Sequence, residues 1–135
     1  MPVLTLRALE DAIRHSWARD TCDPTDVEVW STTNPARGQC PVTALVVHDL
    51  LGGQLLEAEV QQADGTPQGF HYWNRLAAVE VDLTREQFDA GEVVGEPHLI
   101  DRLPEFPWLA HEQYLVFRDR VFALLDLAVP EGAGG

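Results

Sequence analysis

Asn-Pro-Ala-Arg-Gly-Gln-Cys-Pro-Val-Thr-Ala-Leu-Val-Val-His-Asp-Leu-Leu-Gly-Gly, residues 34–53, decides how the chain reads. The stretch opens on turn-forming residues and closes on a glycine pair. Between them Val42, Leu45, Val46 and then Asp49 and Leu50 recur at helical spacing. Pro41 suits the start of a helix, where a missing N–H costs nothing, and Gly52 and Gly53 suit its end. Cys40 therefore falls at the N-cap or first turn of a mostly buried helix. There the backbone N–H groups and the positive helix end favour a thiolate over a thiol. A cysteine so placed can be a nucleophile. The competing reading is a small buried hydrophobe, the usual state of a lone cysteine in an apolar helix.

The chain around this stretch has 135 residues and is 45% apolar, enough for one domain with its own core. The expected division is an α+β domain over residues 1–129 and a disordered tail over residues 130–135. The first nineteen residues lack the pattern of a secretory signal, so a cytoplasmic protein is the default expectation. No apolar run approaches the length of a membrane span. Net charge is −13, and all nine basic residues are Arg. Such a field repels nucleic acid and anionic membrane surfaces. The cysteines, Cys22 and Cys40, suggest neither a disulfide framework nor a zinc site, because the five His show no paired ligand spacing. No metal or cofactor is implied. Cys22, in Thr-Cys-Asp-Pro, reads as a partly buried loop residue.

Residues 5–18 form an amphipathic pattern with Leu6, Leu9, Ile13 and Trp17 on one stripe and Thr5 as N-cap. Residues 20–38 are a long connection leading directly to Cys40, the kind of segment that often carries function. Residues 54–61 alternate as a strand, with Leu56, Ala58 and Val60 on one side. A turn cluster at 63–69 separates it from strands at 70–76 and 79–83, joined by Ala77 and Ala78. Thr84-Arg-Glu-Gln87 has the form of a capping box before a short helix reaching Asp89. A short strand is expected at 97–100, and a last helix at 109–129.

A two-residue loop at Ala77 and Ala78 sets Leu76 opposite Val79 and Trp73 opposite Asp82. His71, Trp73 and Asp82 then share one face, with His71 and Asp82 as diagonal neighbours within hydrogen-bond reach. Phe70, Tyr72, Leu76, Val79, Val81 and Leu83 take the other face and suit a core. Glu80 lies opposite Arg75 as a surface ion pair. A one-residue slip would invert this pattern. The chain thus supplies Cys40 as nucleophile, His71 as general base and Asp82 as the residue that orients the base. The Cys40 N–H, with the Gln39 or Asn34 amide, would bind an oxyanion. Trp73 could line a cleft, as could Trp108, although aromatic residues more often belong to a core.

Gly38-Gln39-Cys40 opening a helix, then His71-Tyr-Trp73, then Val81-Asp82-Leu-Thr84, resembles the core of transglutaminase-like cysteine enzymes within the papain-like superfamily. Over nearly the whole chain the sequence is similar to the small bacterial YunG-like proteins, on Asn-Pro-Ala-Arg-Gly-Gln-Cys-Pro-Val-Thr-Ala-Leu-Val-Val, His-Tyr-Trp-Asn-Arg-Leu and Val-Asp-Leu-Thr-Arg-Glu-Gln-Phe. The first resemblance implies a Cys helix packed on a small antiparallel sheet, with N- and C-terminal helices flanking it. Pro41 stands where transglutaminases carry an aromatic residue, and nothing suggests a calcium site. The expected function is a thiol-dependent acyl-transfer or amide-hydrolysing enzyme acting on a small molecule or peptide. The alternative is a binding or regulatory domain with an idle triad.

The acidic field yields a direct expectation. Gel shifts at physiological salt should show no binding of duplex DNA or RNA; a tight, salt-sensitive shift would overturn it.

Overall fold

The computed structural model describes residues 4–88, 90–102 and 110–129. At its centre is helix α2, Cys40–Leu51, which is apolar on nearly every side and therefore has to be covered on every side. Cys40 through Val47 are all buried. Helix α1, Leu6–Ser16, and helix α3, His111–Leu124, contribute Leu9, Ile13, Phe117 and Val121 to the cover. An antiparallel sheet supplies the remainder. The architecture is α+β, a small antiparallel sheet with helices. Among the described residues, no helix is long and apolar enough to cross a membrane.

The sheet comprises β1 (Gln54–Gln61), β2 (Pro67–Leu76), β3 (Val79–Val81), β4 (Val93–Val94) and β5 (His98–Ile100). β1 is central, with β2 on one side and both β4 and β5 on the other; β3 lies outside β2. Asn74 pairs with Val81, Arg75 with Glu80 and Leu76 with Val79, the register expected from the Ala77-Ala78 loop. Ala77 accepts a φ of +56° to make that turn. Leu55 and Tyr72 pack toward the helices, whereas Leu56, Ala58 and Trp73 form a second small cluster on the opposite face. Two buried polar contacts tie the layers together. Trp17 Nε1 donates to Thr43 Oγ1 at 2.9 Å, and Asn74 Nδ2 donates to the Ala44 carbonyl at 2.9 Å.

Several expectations are corrected. β3 ends at Val81, so Asp82 lies just past the strand. Phe70 and Val79 are exposed rather than core, because Phe70 lines the open cleft beside Cys40 and β3 is an edge strand. Leu6 is exposed at the start of α1. The capping box at Thr84 does not form: Arg85–Gln87 is a single 3-10 turn, without a side-chain cap. Cys22 is fully buried, packed beneath the loop that carries Gly38. Helix α3 ends at Leu124, short of Val129, because Asp126 turns left-handed at φ +56°. The Asp126 and Leu127 N–H groups then bond back to Ala123 and Phe122, a Schellman closure with Asp in the usual glycine position. Trp108, Asp89 and the expected tail at 130–135 lie outside the described residues.

Gly38 shows how tightly the loop before Cys40 is set. Its φ is +73°, and a Cβ there would meet Cys22 Sγ at 2.4 Å. Gly52 has a similar φ of +70° but nothing within 4 Å. Gly52→Ala should carry backbone strain alone, roughly 1–3 kcal/mol. Gly38→Ala should cost clearly more, because a buried collision is added. Urea unfolding of both variants checks this; equal losses would contradict the packing described.

Candidate active site

Alternation along β2 places His71 and Trp73 on the same side of the strand, and the β2–β3 register brings Asp82 to them. His71 Nε2 lies 2.7 Å from Asp82 Oδ2. The His71 ring is wholly buried, stacked on Trp73 at 5.1 Å with a 23° interplanar angle and met edge-on by Phe88 at 4.8 Å. Asp82 Oδ2 also accepts from Arg85 Nε at 2.6 Å. Arg85 in turn lies over the Trp73 ring, 5.2 Å from its centroid. Trp73 Nε1 donates to Glu80 at 2.7 Å, so Glu80 supports the indole. Trp73 therefore holds the His71 ring rather than standing as an open wall.

Cys40 is the first residue of α2, and Gln39 is its N-cap. The Gln39 side chain is buried and internally committed: Nε2 donates to the Ala18 carbonyl and Oε1 accepts from Thr21. Asn34 Nδ2 donates to the Gln87 carbonyl at 2.8 Å, and Gln87 Oε1 accepts the Gly38 N–H at 3.1 Å. Both amides proposed as oxyanion donors thus already bond within the protein. Cys40 lines a cleft of about 290 Å³ whose wall includes Pro41, Tyr72, Phe88, Asp26 and Arg37. Arg37 pairs with Glu92 at 3.0 Å and with Asp26 at 3.6 Å.

The Cys40 side is linked to the His71 side through the backbone. The N–H of Tyr72, the residue after His71, bonds to the Cys40 sulfur and favours its charged form. Burial is the larger influence and pushes the thiol up, the reverse of the expectation drawn from the helix start alone. Among the described residues, no hydrogen bond joins Cys40 to the His71 ring; His71 Nδ1 is buried without a partner, and so is Asp82 Oδ1. The structure brings His71, Trp73 and Asp82 together; Cys40 meets the same strand at the Tyr72 N–H and lines a cleft that shares Tyr72 and Phe88. Arg85, Gln87, Phe88 and Glu80 were not singled out as site residues from sequence. Arg85 and Gln87 follow Asp82 closely, but only the fold shows what they reach. Among the described residues, no group of three or more His, Cys, Asp or Glu side chains is arranged to hold a metal.

A family model described as YunG protein matches residues 5–126 of this chain. The chain belongs to the YunG family. It is 33% identical over 78 residues to a protein of Bacillus subtilis (strain 168) described as "Uncharacterized protein YunG". That match spans 58% of each chain, so less than two thirds of the relative's length is covered. No solved structure matches the chain. The YunG model spans Cys40, His71 and Asp82 alike.

Both thiols carry a pH signature. Burial pushes Cys22 up from 9.0 to about 12, with Asp26 and Asp23 adding to it, and pushes Cys40 up as well. A folded value above the unfolded one means that the native state holds protons the unfolded chain releases. The resulting stability is complete below about pH 9 and is lost as pH rises toward the folded values. Each thiol should cost up to about 1.4 kcal/mol per pH unit across that window. Urea unfolding at pH 8 and pH 10 should show the fall, and Cys22→Ala should have a shallower one. An unchanged slope in Cys22→Ala would contradict the burial of that thiol.

Proposed function

We propose that this YunG-family chain is a thiol-dependent acyl-transfer or amide-hydrolysing enzyme on a papain-like or transglutaminase-like core. Cys40 is the nucleophile, His71 the general base and Asp82 the residue that orients it. The observation carrying this reading is the His71 ring, with Nε2 tied to Asp82 and Nδ1 buried without a partner. Leaving a buried nitrogen unpaired costs about 1–3 kcal/mol, so the group needs an explanation, and a part in proton transfer is one. An ionised carboxylate only accepts hydrogen bonds, so Nε2 carries the hydrogen and Nδ1 the lone pair.

The chemistry follows from that tautomer. The Cys40 proton passes to Nδ1, directly or through one water, as contacts tighten around a bound substrate. The sulfur adds to the acyl carbon, and the carbonyl oxygen takes the negative charge. The N–H groups of Cys40 and Val42, which helix geometry leaves without intrahelical acceptors, are the donors for that oxyanion. The imidazolium returns its proton to the departing amine, alcohol or thiol. Water or an incoming amine then cleaves the thioester, completing hydrolysis or transfer. A second reading, a binding or regulatory domain with an idle thiol, is favoured by the 5% exposure of Cys40 and the upward push of burial on its thiol.

Turnover of a panel of esters, thioesters and peptide amides separates the two. Cys40→Ala should abolish turnover, and His71→Ala should lower kcat/KM on the order of 10²–10⁴-fold. Asp82→Ala should lower it less, and Cys22→Ala should leave it unchanged. No turnover by the wild-type chain, or full turnover by Cys40→Ala, would leave the binding reading in place.

A further inference from the structure

The Arg85 guanidinium belongs to a closed ring of contacts about His71. Its Nε donates to Asp82 Oδ2 at 2.6 Å, on the same oxygen that His71 engages at 2.7 Å. Its Cζ lies over the Trp73 ring, and Trp73 stacks on His71. The Arg85 side chain is 50% exposed and that of Asp82 12%. An ion pair this open contributes little to stability, so its consequence is geometric. Asp82 Oδ1 has no partner, so nothing on that oxygen stops the carboxylate from rotating once Arg85 is gone. The other end of the same short turn is bonded to the nucleophile loop: Gln87 accepts from Gly38 and Asn34.

We propose that Arg85 is a positioning residue, fixing the Asp82 carboxylate and, through it, the tautomer and orientation of the His71 ring. This rests on the reading of His71 as the base, but the arrangement is measurable without any substrate. A carboxylate held on one oxygen by two donors keeps the Nε2 hydrogen in place; a carboxylate free to turn does not. Losing Arg85 therefore redistributes the ring hydrogen between the two nitrogens, and Nδ1 loses part of its lone-pair character.

The test is long-range ¹H–¹⁵N NMR of the full chain with ¹⁵N-labelled histidine. Wild type should show one His71 tautomer, with hydrogen on Nε2. Arg85→Ala should show a mixture, with the far-UV spectrum unchanged, while Glu86→Gln on the neighbouring position keeps the wild-type pattern. Arg85→Met, which retains the apolar stem and lacks a donor, gives the same readout should the alanine variant disturb the fold. An unaltered Nε2–H tautomer in both Arg85 variants overturns the proposal. In the turnover assay, Arg85→Ala should lower kcat about tenfold to a hundredfold with KM little changed. If wild type shows no turnover, the enzyme reading fails while the tautomer result still decides the role of Arg85.

Discussion

Helix α2 has almost no polar side to give to water, and the architecture follows from covering it. Eight consecutive residues from Cys40 are buried, each large apolar side chain among them contributing about 1.5–3 kcal/mol relative to exposure. Helices α1 and α3 and one face of the sheet provide the cover. The start of α2 is then held at the sheet, where the Tyr72 N–H meets Cys40. The same burial that stabilises the helix places the thiol in a poorly solvated position.

The polar groups around this core divide into two kinds. Thr43, Asn74 and Gln39 are buried and bonded, so they fix the layers in register. His71 and Asp82 are bonded to each other, yet each keeps one buried atom without a partner. A purely structural pair could be replaced by apolar side chains at little cost. On the proposed reading, the unpaired ring nitrogen is the atom that takes up the Cys40 proton. Gln39 and Asn34 are committed to structural ties, so on the proposed reading the helix-start N–H groups take the oxyanion role.

Local patterns made much of this legible. The spacing of Val42, Leu45 and Val46 with flanking Pro41 and Gly52 marks α2, and the alternation either side of Ala77-Ala78 sets the register that joins His71 to Asp82. What was not legible depends on contacts distant in sequence. Nothing local to Asn34 or Gly38 shows that each bonds to Gln87, and nothing local to Cys40 shows how completely the fold encloses it. The apolar pattern of α3 runs past its true end, because Asp126 takes a left-handed turn that usually announces itself as glycine. β4 is only Val93–Val94 and depends on β1 for its pairing, so its residues carry no strand pattern of their own.

The central claim is that Cys40 forms a covalent acyl intermediate with the help of His71. Intact-protein mass spectrometry after brief exposure to an acyl thioester, followed by peptide mapping, tests it most directly. The account predicts one acyl group, on Cys40, released by hydroxylamine and strongly reduced in His71→Ala. Equal labelling of Cys22 and Cys40, or labelling of Cys40 unaffected by His71→Ala, would contradict it.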